Sequence, residues 1–367
     1  MRLPVQLFLP ALSGIWLVGC SCNRDDNLTP QPDPEEVFND IGSWLGMDAM
    51  PNGDPAVSYY DRTKGGLGFA IGKLGSDSLT WKIEEVDGYA GDDGLNPGDR
   101  GTHTDLALAS DGTAHIAYRD ETNSSMRYAK RSPDGVWELG MGGSGSGAKP
   151  DFGLWSSIAL DANASPVISF YDVGAESLRI SHATETGFSS EVIEEGGVGT
   201  YSDLLIVDGV EYIAYYDATN GDLKLASGNT GAYTIEIVAS EGDVGKWPSI
   251  AKHGGEFVIA YQDAEFNDLV VATGTPGAWS SELVDASDYR GADNEVVIIN
   301  DAPAIYTFDG YNNDLLLAEQ SPEAWTVGKV AGDEAALGFH VEAMNVGSDV
   351  YVASYDYTNR FLFFAIY

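Results

Sequence analysis

Tyr215-Tyr216-Asp217, followed by Leu223 and Ala226, is the stretch whose recurrence decides the fold. An aromatic two residues before an Asp, an apolar residue six after it and a small residue nine after it recur seven times. The centres are Asp61, Asp120, Asp172, Asp217, Asp263, Asp309 and Asp356. The +6 residues are Leu67, Met126, Leu178, Leu223, Leu269, Leu315 and Leu362. The +9 residues are Ala70, Ala129, Ser181, Ala226, Ala272, Ala318 and Ala365. Thr307 and Ser354 replace the leading aromatic in the last two units, where Phe308 and Tyr355 keep one beside the Asp. Successive aspartates lie 59, 52, 45, 46, 46 and 47 residues apart. Such a period marks a repeat architecture whose units bury their faces only against neighbours.

Each unit holds four apolar or alternating runs separated by Gly, Asn, Asp and Pro, which predicts a four-stranded antiparallel sheet. In the fourth unit the runs are 203–207, 211–216, 223–226 and 233–238. No stretch carries a sustained helical period. Seven such sheets predict an all-β fold, a seven-bladed β-propeller over residues 36–367. The seventh unit ends after its third strand (361–366), and Glu36-Val37-Phe38 precedes the first unit much as Glu191-Val192-Ile193 precedes the fourth. The N-terminal strand is therefore expected to complete the last blade and close the ring, removing two exposed sheet edges. Inserts at 87–101 and 138–153 lengthen the first two units and should share a face with the Tyr-x-Asp hairpin loops.

The chain of 367 residues carries 57 acidic and 19 basic side chains, a formal charge of −38. That field repels nucleic acid and anionic headgroups and favours solubility and cations. Arg2 precedes an apolar run from Leu7 to Leu17 that ends in Leu17-Val18-Gly19-Cys20. The run is short for a membrane span. The tetrapeptide resembles the lipobox of bacterial lipoproteins, which implies a signal peptide over 1–19 and a lipidated Cys20. The same resemblance, with Ser21 next, implies outer-membrane sorting in the cell envelope. Residues 20–35 read as a polar, Pro-containing tether. Cys22 is the other cysteine, so no disulfide framework is expected.

The repeated Asp ends a strand and opens a hairpin, where a carboxylate accepts its own loop's amides. Seven copies point to architecture. A second alignment varies more. Sixteen or seventeen residues before each Asp stand Trp44, His103, Trp155, Tyr201, Trp247, Asp293 and His340. A Gly precedes six of them by two positions (Gly42, Gly101, Gly153, Gly199, Gly245, Gly338), and Gly46, Asp105, Ser157, Asp203, Ser249, Glu295 and Glu342 follow by two. Placed at the start of the inner strands, they should crowd the mouth of the central channel. Aromatic faces, two His and five carboxylates suit a glycan or another small ligand. The alternative is that the large rings plug the channel. His103, Asp105, His340 and Glu342 are ligand types for a transition metal. Asp87, Asp92, Asp93 and Asp99 offer oxygens for Ca²⁺.

The turn Ser132-Pro133-Asp134-Gly135-Val136-Trp137 resembles the Asp-box of sialidase-like propellers, one residue short. The resemblance implies kinship of fold. Sialidase chemistry would need three converging arginines, whereas Arg62, Arg100, Arg119, Arg127, Arg131, Arg179, Arg290 and Arg360 are expected mostly in hairpin loops or edge strands. There is no G-x-S-x-G nucleophile elbow and no phosphate-loop Gly-Lys-Ser/Thr. The expectation is a monomeric, lipid-anchored binding protein for a glycan, a small molecule or an envelope protein. A hydrolase or lyase using His103, His340 and nearby carboxylates is the second reading, and a pure assembly scaffold the third.

Overall fold

A computed structural model describes residues 40–75, 79–90, 97–147, 150–332 and 335–367. Among them, 27 strands form seven antiparallel sheets, six of four strands and one of three, each in simple sequential order. The fold is the expected seven-bladed β-propeller. Its blades span 41–87, 100–141, 152–195, 198–239, 244–285, 292–331 and 339–366. The three-stranded blade is the seventh, ending in Phe361–Ile366 as predicted. Its expected fourth strand, residues 36–38, lies outside the described residues, as do the leader and tether.

The ring closes where blade 1 meets blade 7. The amide of Ile41 donates to the Arg360 carbonyl at 3.1 Å, and the Tyr355 hydroxyl to Asp40 at 2.5 Å. Leu45, Val57 and Tyr59 of blade 1 share a core with Leu362 and Phe364 of blade 7. Similar cores fill the other blade interfaces. All seven +9 side chains are fully buried at these interfaces, which is why the position holds only Ala or Ser. Outer strands are clasped by tryptophans: Trp137, Trp279 and Trp325 donate their indole N–H to Glu84, Glu236 and Glu282 of the preceding blade at 2.9, 3.1 and 3.3 Å. Burial raises the Glu84 carboxyl, but Arg131, Lys82 and Trp137 together hold it down at about 2.

The repeated Asp works within its hairpin. Asp217 accepts the amides of Thr219 and Asn220 at 3.0 Å each and the Asn220 side chain at 2.8 Å. Asn123, Asn312 and Asn359 do the same for Asp120, Asp309 and Asp356. The inserts pack onto these hairpins: Arg100 N–H donates to the Gly65 carbonyl, and Ser146 N–H to Asp172.

One expectation changes. Arg100 begins an inner strand, Arg119 lies on a second strand, and Arg127, Arg131 and Arg179 lie on third strands. Arg100 is thus on an edge strand and Arg62 and Arg360 are in hairpin loops, as expected, whereas Arg119, Arg127, Arg131 and Arg179 lie on interior strands, where each guanidinium is neutralised. Arg119 meets Asp151 at 2.8 Å, Arg131 meets Glu84 at 2.8 Å, and Arg100 bridges Asp87 and Asp120 at 2.7 and 2.9 Å.

Candidate functional site: the channel mouth

Each inner strand begins before its collar residue, by three residues in the first five blades and by one in the last two, and runs through a bulge. In the fourth blade it covers Val198–Val207, with register breaks on both sides of Thr200. The residue inside every bulge is a member of the second alignment. Trp44, His103, Trp155, Tyr201, Trp247, Asp293 and His340 all have φ between 47° and 56°. This left-handed geometry is rare for bulky residues. Sevenfold repetition makes it a property of the bulge.

The glycine two residues earlier explains how the bulge fits. Gly101 has φ +116°, and a Cβ there would lie 2.8 Å from the backbone of Leu67, the +6 residue of the preceding blade. Gly199 and Gly245 lie just as close to Leu178 and Leu223. The two sequence alignments therefore describe the two sides of one interface. Gly291 completes the series in the sixth blade, at φ +80°. It was legible at the same spacing.

The collar residues touch one another around the ring. Trp44 lies 3.8 Å from His103 and 4.5 Å from His340, centroid to centroid. His103–Trp155, Trp155–Tyr201 and Tyr201–Trp247 follow at 5.5, 4.9 and 4.7 Å. Asp293 interrupts the aromatic series. The rings leave a cavity of about 370 Å³, and all eleven predicted positions line it. These are Trp44, His103, Asp105, Trp155, Tyr201, Asp203, Trp247, Asp293, Glu295, His340 and Glu342.

Below the collar, side chains stitch one inner strand to the next. Asp105 accepts the amide of Ile158 at 2.8 Å, and Asp203 that of Ile250 at 2.7 Å. Ser157 and Ser249 accept the amides of Leu204 and Val296 at 3.2 and 3.0 Å, and Glu342 that of Met47. Blade 1 has Gly46 here because a Cβ would meet the Leu106 nitrogen at 2.6 Å. A further row escaped the sequence reading. Ser156, Ser202 and Asn294, each directly after a collar residue, donate to the carbonyls of His103, Trp155 and Trp247 at 2.5, 2.9 and 2.9 Å.

Depth in the protein dominates the electrostatics. Burial pushes the Asp105 carboxyl up to about 7 and those of Asp203 and Asp293 up to about 6. Burial, then repulsion from Asp203 and Asp105, holds Glu295 well above the ordinary carboxylate range, and burial with repulsion from Glu295, Asp105 and Asp203 does the same for Glu342. Each still presents some surface to the cavity. No Lys or Arg lines the cavity among the described residues. Burial, with Arg119 and His340 nearby, lowers His103 to about 3; burial and Arg62 lower His340 to about 4. Both imidazoles are neutral at physiological pH. His103 Nδ1 accepts the Trp155 amide at 3.0 Å, so its proton sits on Nε2.

The two histidines lie on opposite flanks of Trp44. Among the described residues no three His, Cys, Asp or Glu side chains are grouped to hold a metal ion. The acidic insert is no better suited to Ca²⁺. Asp87 is taken by Arg100, Arg127 and the Tyr118 hydroxyl at 2.7, 2.9 and 2.6 Å, and Asp99 by the Tyr60 hydroxyl at 2.7 Å. Asp92 and Asp93 lie outside the described residues.

Fold and site together define a seven-bladed β-propeller whose channel mouth is an acidic, aromatic-collared cavity. The sequence matches no protein-family profile and no curated protein. Solved structures show where the fold belongs. The chain is similar to the Hadza microbial sialidase Hz136 (12% identity, TM-score 0.52), covering 78% of this chain and 65% of that one. A subtype N10 neuraminidase-like protein of A/little yellow-shouldered bat/Guatemala matches over 72% of this chain and 91% of its own (7% identity, TM-score 0.51). A prolyl endopeptidase matches over 87% of this chain and 46% of its own (11% identity, TM-score 0.55). The chain thus spans under two thirds of the sialidase and under half of the endopeptidase. At these identities the likeness is one of fold.

Proposed function

We propose that the protein is a lipid-anchored envelope protein, joined to the outer membrane through Cys20, that binds a small glycan or glycan-like ligand at its channel mouth. The observation that carries the reading is the convergence of eleven irregular positions of a regular repeat on one cavity. Structural need explains the glycines, the bulges and the stitched amides. It does not explain why six collar residues are aromatic or imidazole rings with a carboxylate among them. Flat faces suit the apolar side of a sugar ring, while carboxylates and a neutral imidazole offer hydrogen bonds to hydroxyls. Without a basic side chain in the lining, an anionic sugar finds no counter-charge there.

The test is a glycan and metabolite binding screen on wild type and on a variant with Trp155→Ala and Trp247→Ala. Saturable binding in the wild type that disappears in a folded double variant supports the site. Equal binding by both overturns it.

A hydrolytic reading is favoured by the placement of Asp203 and Asp293 in the cavity lining, where burial raises both carboxyls to about 6, a range in which a general acid works well. It predicts turnover of a bound glycoside that is lost in Asp293→Asn while binding persists. The histidines fit it less well, since groups lowered to about 3 and 4 make weak bases.

A further inference from the structure

We infer that the ligand of the channel mouth is a cationic sugar: a hydroxylated ring bearing a protonated amino group, such as an unacetylated hexosamine. The inference rests on the glycan-binding reading above and narrows it to a chemical class.

Three independent features of the cavity select that class. The first is charge. Five carboxylates line it, with no Lys or Arg among the described residues. Four of them, Asp105, Asp203, Glu295 and Glu342, repel one another across the channel. A bound ammonium group relieves that repulsion, whereas a neutral ligand leaves it and an anion adds to it. The carboxylates are not grouped to chelate a metal ion, so the cation they suit is larger and makes directional hydrogen bonds.

The second feature is an imidazole that lines the cavity with one nitrogen already occupied. His103 is 8% exposed and lines the cavity. Its Nδ1 accepts the Trp155 amide at 3.0 Å, so Nε2 carries the proton and is the nitrogen left to donate to a ligand. A ligand that were only an amine would leave this donor unanswered. A ligand oxygen, such as a ring hydroxyl, satisfies it.

The third feature is the shape of the collar. Trp155, Tyr201 and Trp247 form a continuous aromatic arc, with ring centroids 4.9 and 4.7 Å apart, and Asp293 follows directly after Trp247. Burial, then the charges of Asp293 and Asp243, raise the Tyr201 hydroxyl, which places the Asp293 carboxylate and the arc in one electrostatic neighbourhood. A sugar ring lying on the arc carries its ammonium group toward Asp293 or the carboxylates below, and aromatic faces also attract cations. A cavity of about 370 Å³ is near the lower end for small-ligand sites, which fits one or two sugar residues.

The experiment is isothermal titration of the full chain at pH 7.5 with three β-1,4-linked disaccharides: the glucosamine dimer, its N-acetylated form and cellobiose. Each is titrated against wild type, against Asp203→Asn with Glu342→Gln, and against Trp155→Ala with Trp247→Ala. The expected result is that the glucosamine dimer binds wild type at least about tenfold more tightly than the other two. The carboxamide variant should erase that preference, and the tryptophan variant should bind none of them. Asn at 203 and Gln at 342 keep an oxygen for the Ile250 and Met47 amides, and circular dichroism confirms that the ring is intact. Equal affinity for all three sugars overturns the cationic assignment and leaves the glycan site standing. Binding of none of the three by folded wild type overturns both. A preference for the glucosamine dimer that survives in the carboxamide variant also overturns the assignment, because the amine is then read elsewhere.

Discussion

The Asp203→Asn substitution should make the protein more stable relative to wild type as pH rises. In the unfolded chain this carboxyl ionises near 3.8, and burial in the channel raises that to about 6. Between those values the native state keeps a proton that the unfolded chain has released. Stability therefore falls as pH rises through the window and levels off above it. A displacement of about two pKa units corresponds to roughly 3 kcal/mol. Channel water screens part of it, leaving about 1–3 kcal/mol. Asn cannot ionise, yet its oxygen can still accept the Ile250 amide, which donates to Asp203 at 2.7 Å. The change also removes one repelling neighbour from Asp105, Glu295 and Glu342. Urea unfolding at pH 4, 6 and 8 measures the difference directly. Near-equal stability at pH 4 should become an advantage of about 1–3 kcal/mol for the variant at pH 8. The other charges of the site (Asp293, His103, His340 and the nearby Arg62 and Arg119) are common to both proteins and drop out of the difference. Parallel stability curves at all three pH values would refute the claim that the channel carboxylates are desolvated.

Gly46→Ala places a methyl group 2.6 Å from the Leu106 nitrogen and should cost about 1–3 kcal/mol in urea unfolding, with no loss from backbone strain. Wild-type stability there would show that the inner strands of blades 1 and 2 sit further apart. Arg100→Ala leaves Asp87 and Asp120 without the guanidinium that bridges them and should cost about 3–5 kcal/mol, visible as a lower thermal midpoint. A loss below 1 kcal/mol would mean that this bridge is solvated. Trp137→Phe removes the N–H donated to Glu84 but keeps the ring against Phe69, so a loss of about 1 kcal/mol is expected. A loss as large as that of Trp137→Ala would assign the clasp to packing alone.

Much of this molecule was legible in its sequence because a repeat reports the same physical constraint seven times. Leu223 and Ala226 recur since each blade interface needs one apolar anchor and one small contact at fixed places. The collar was found by counting back from Asp217, and every residue named that way lines the cavity. The bulge was not legible. Tyr201 was expected at the start of a strand that in fact begins at Val198. A left-handed residue continuing a strand leaves no mark in an alternation pattern, save the glycine two places before it. The hydroxyl row of Ser156 and Ser202 was hidden for another reason: serine in a loop-rich repeat looks the same whether it faces water or a neighbouring carbonyl. Four arginines (Arg119, Arg127, Arg131 and Arg179) were misplaced because charge suggests exposure, while Arg119 and Arg131 are each 5% exposed and paired. Ion pairing between blades joins residues such as Arg131 and Glu84, 47 positions apart, which no local pattern reports.

The central claim is that the channel mouth holds the ligand, and a crystal structure of the protein grown with the glucosamine disaccharide tests it most directly. The prediction is sugar density in the cavity, its ring against Trp155, Tyr201 or Trp247, an oxygen within hydrogen-bond reach of His103 Nε2 and the amino group facing a carboxylate. Density on the outer rim of the blades, or an empty collar in a crystal whose ligand concentration saturates binding in solution, would contradict it.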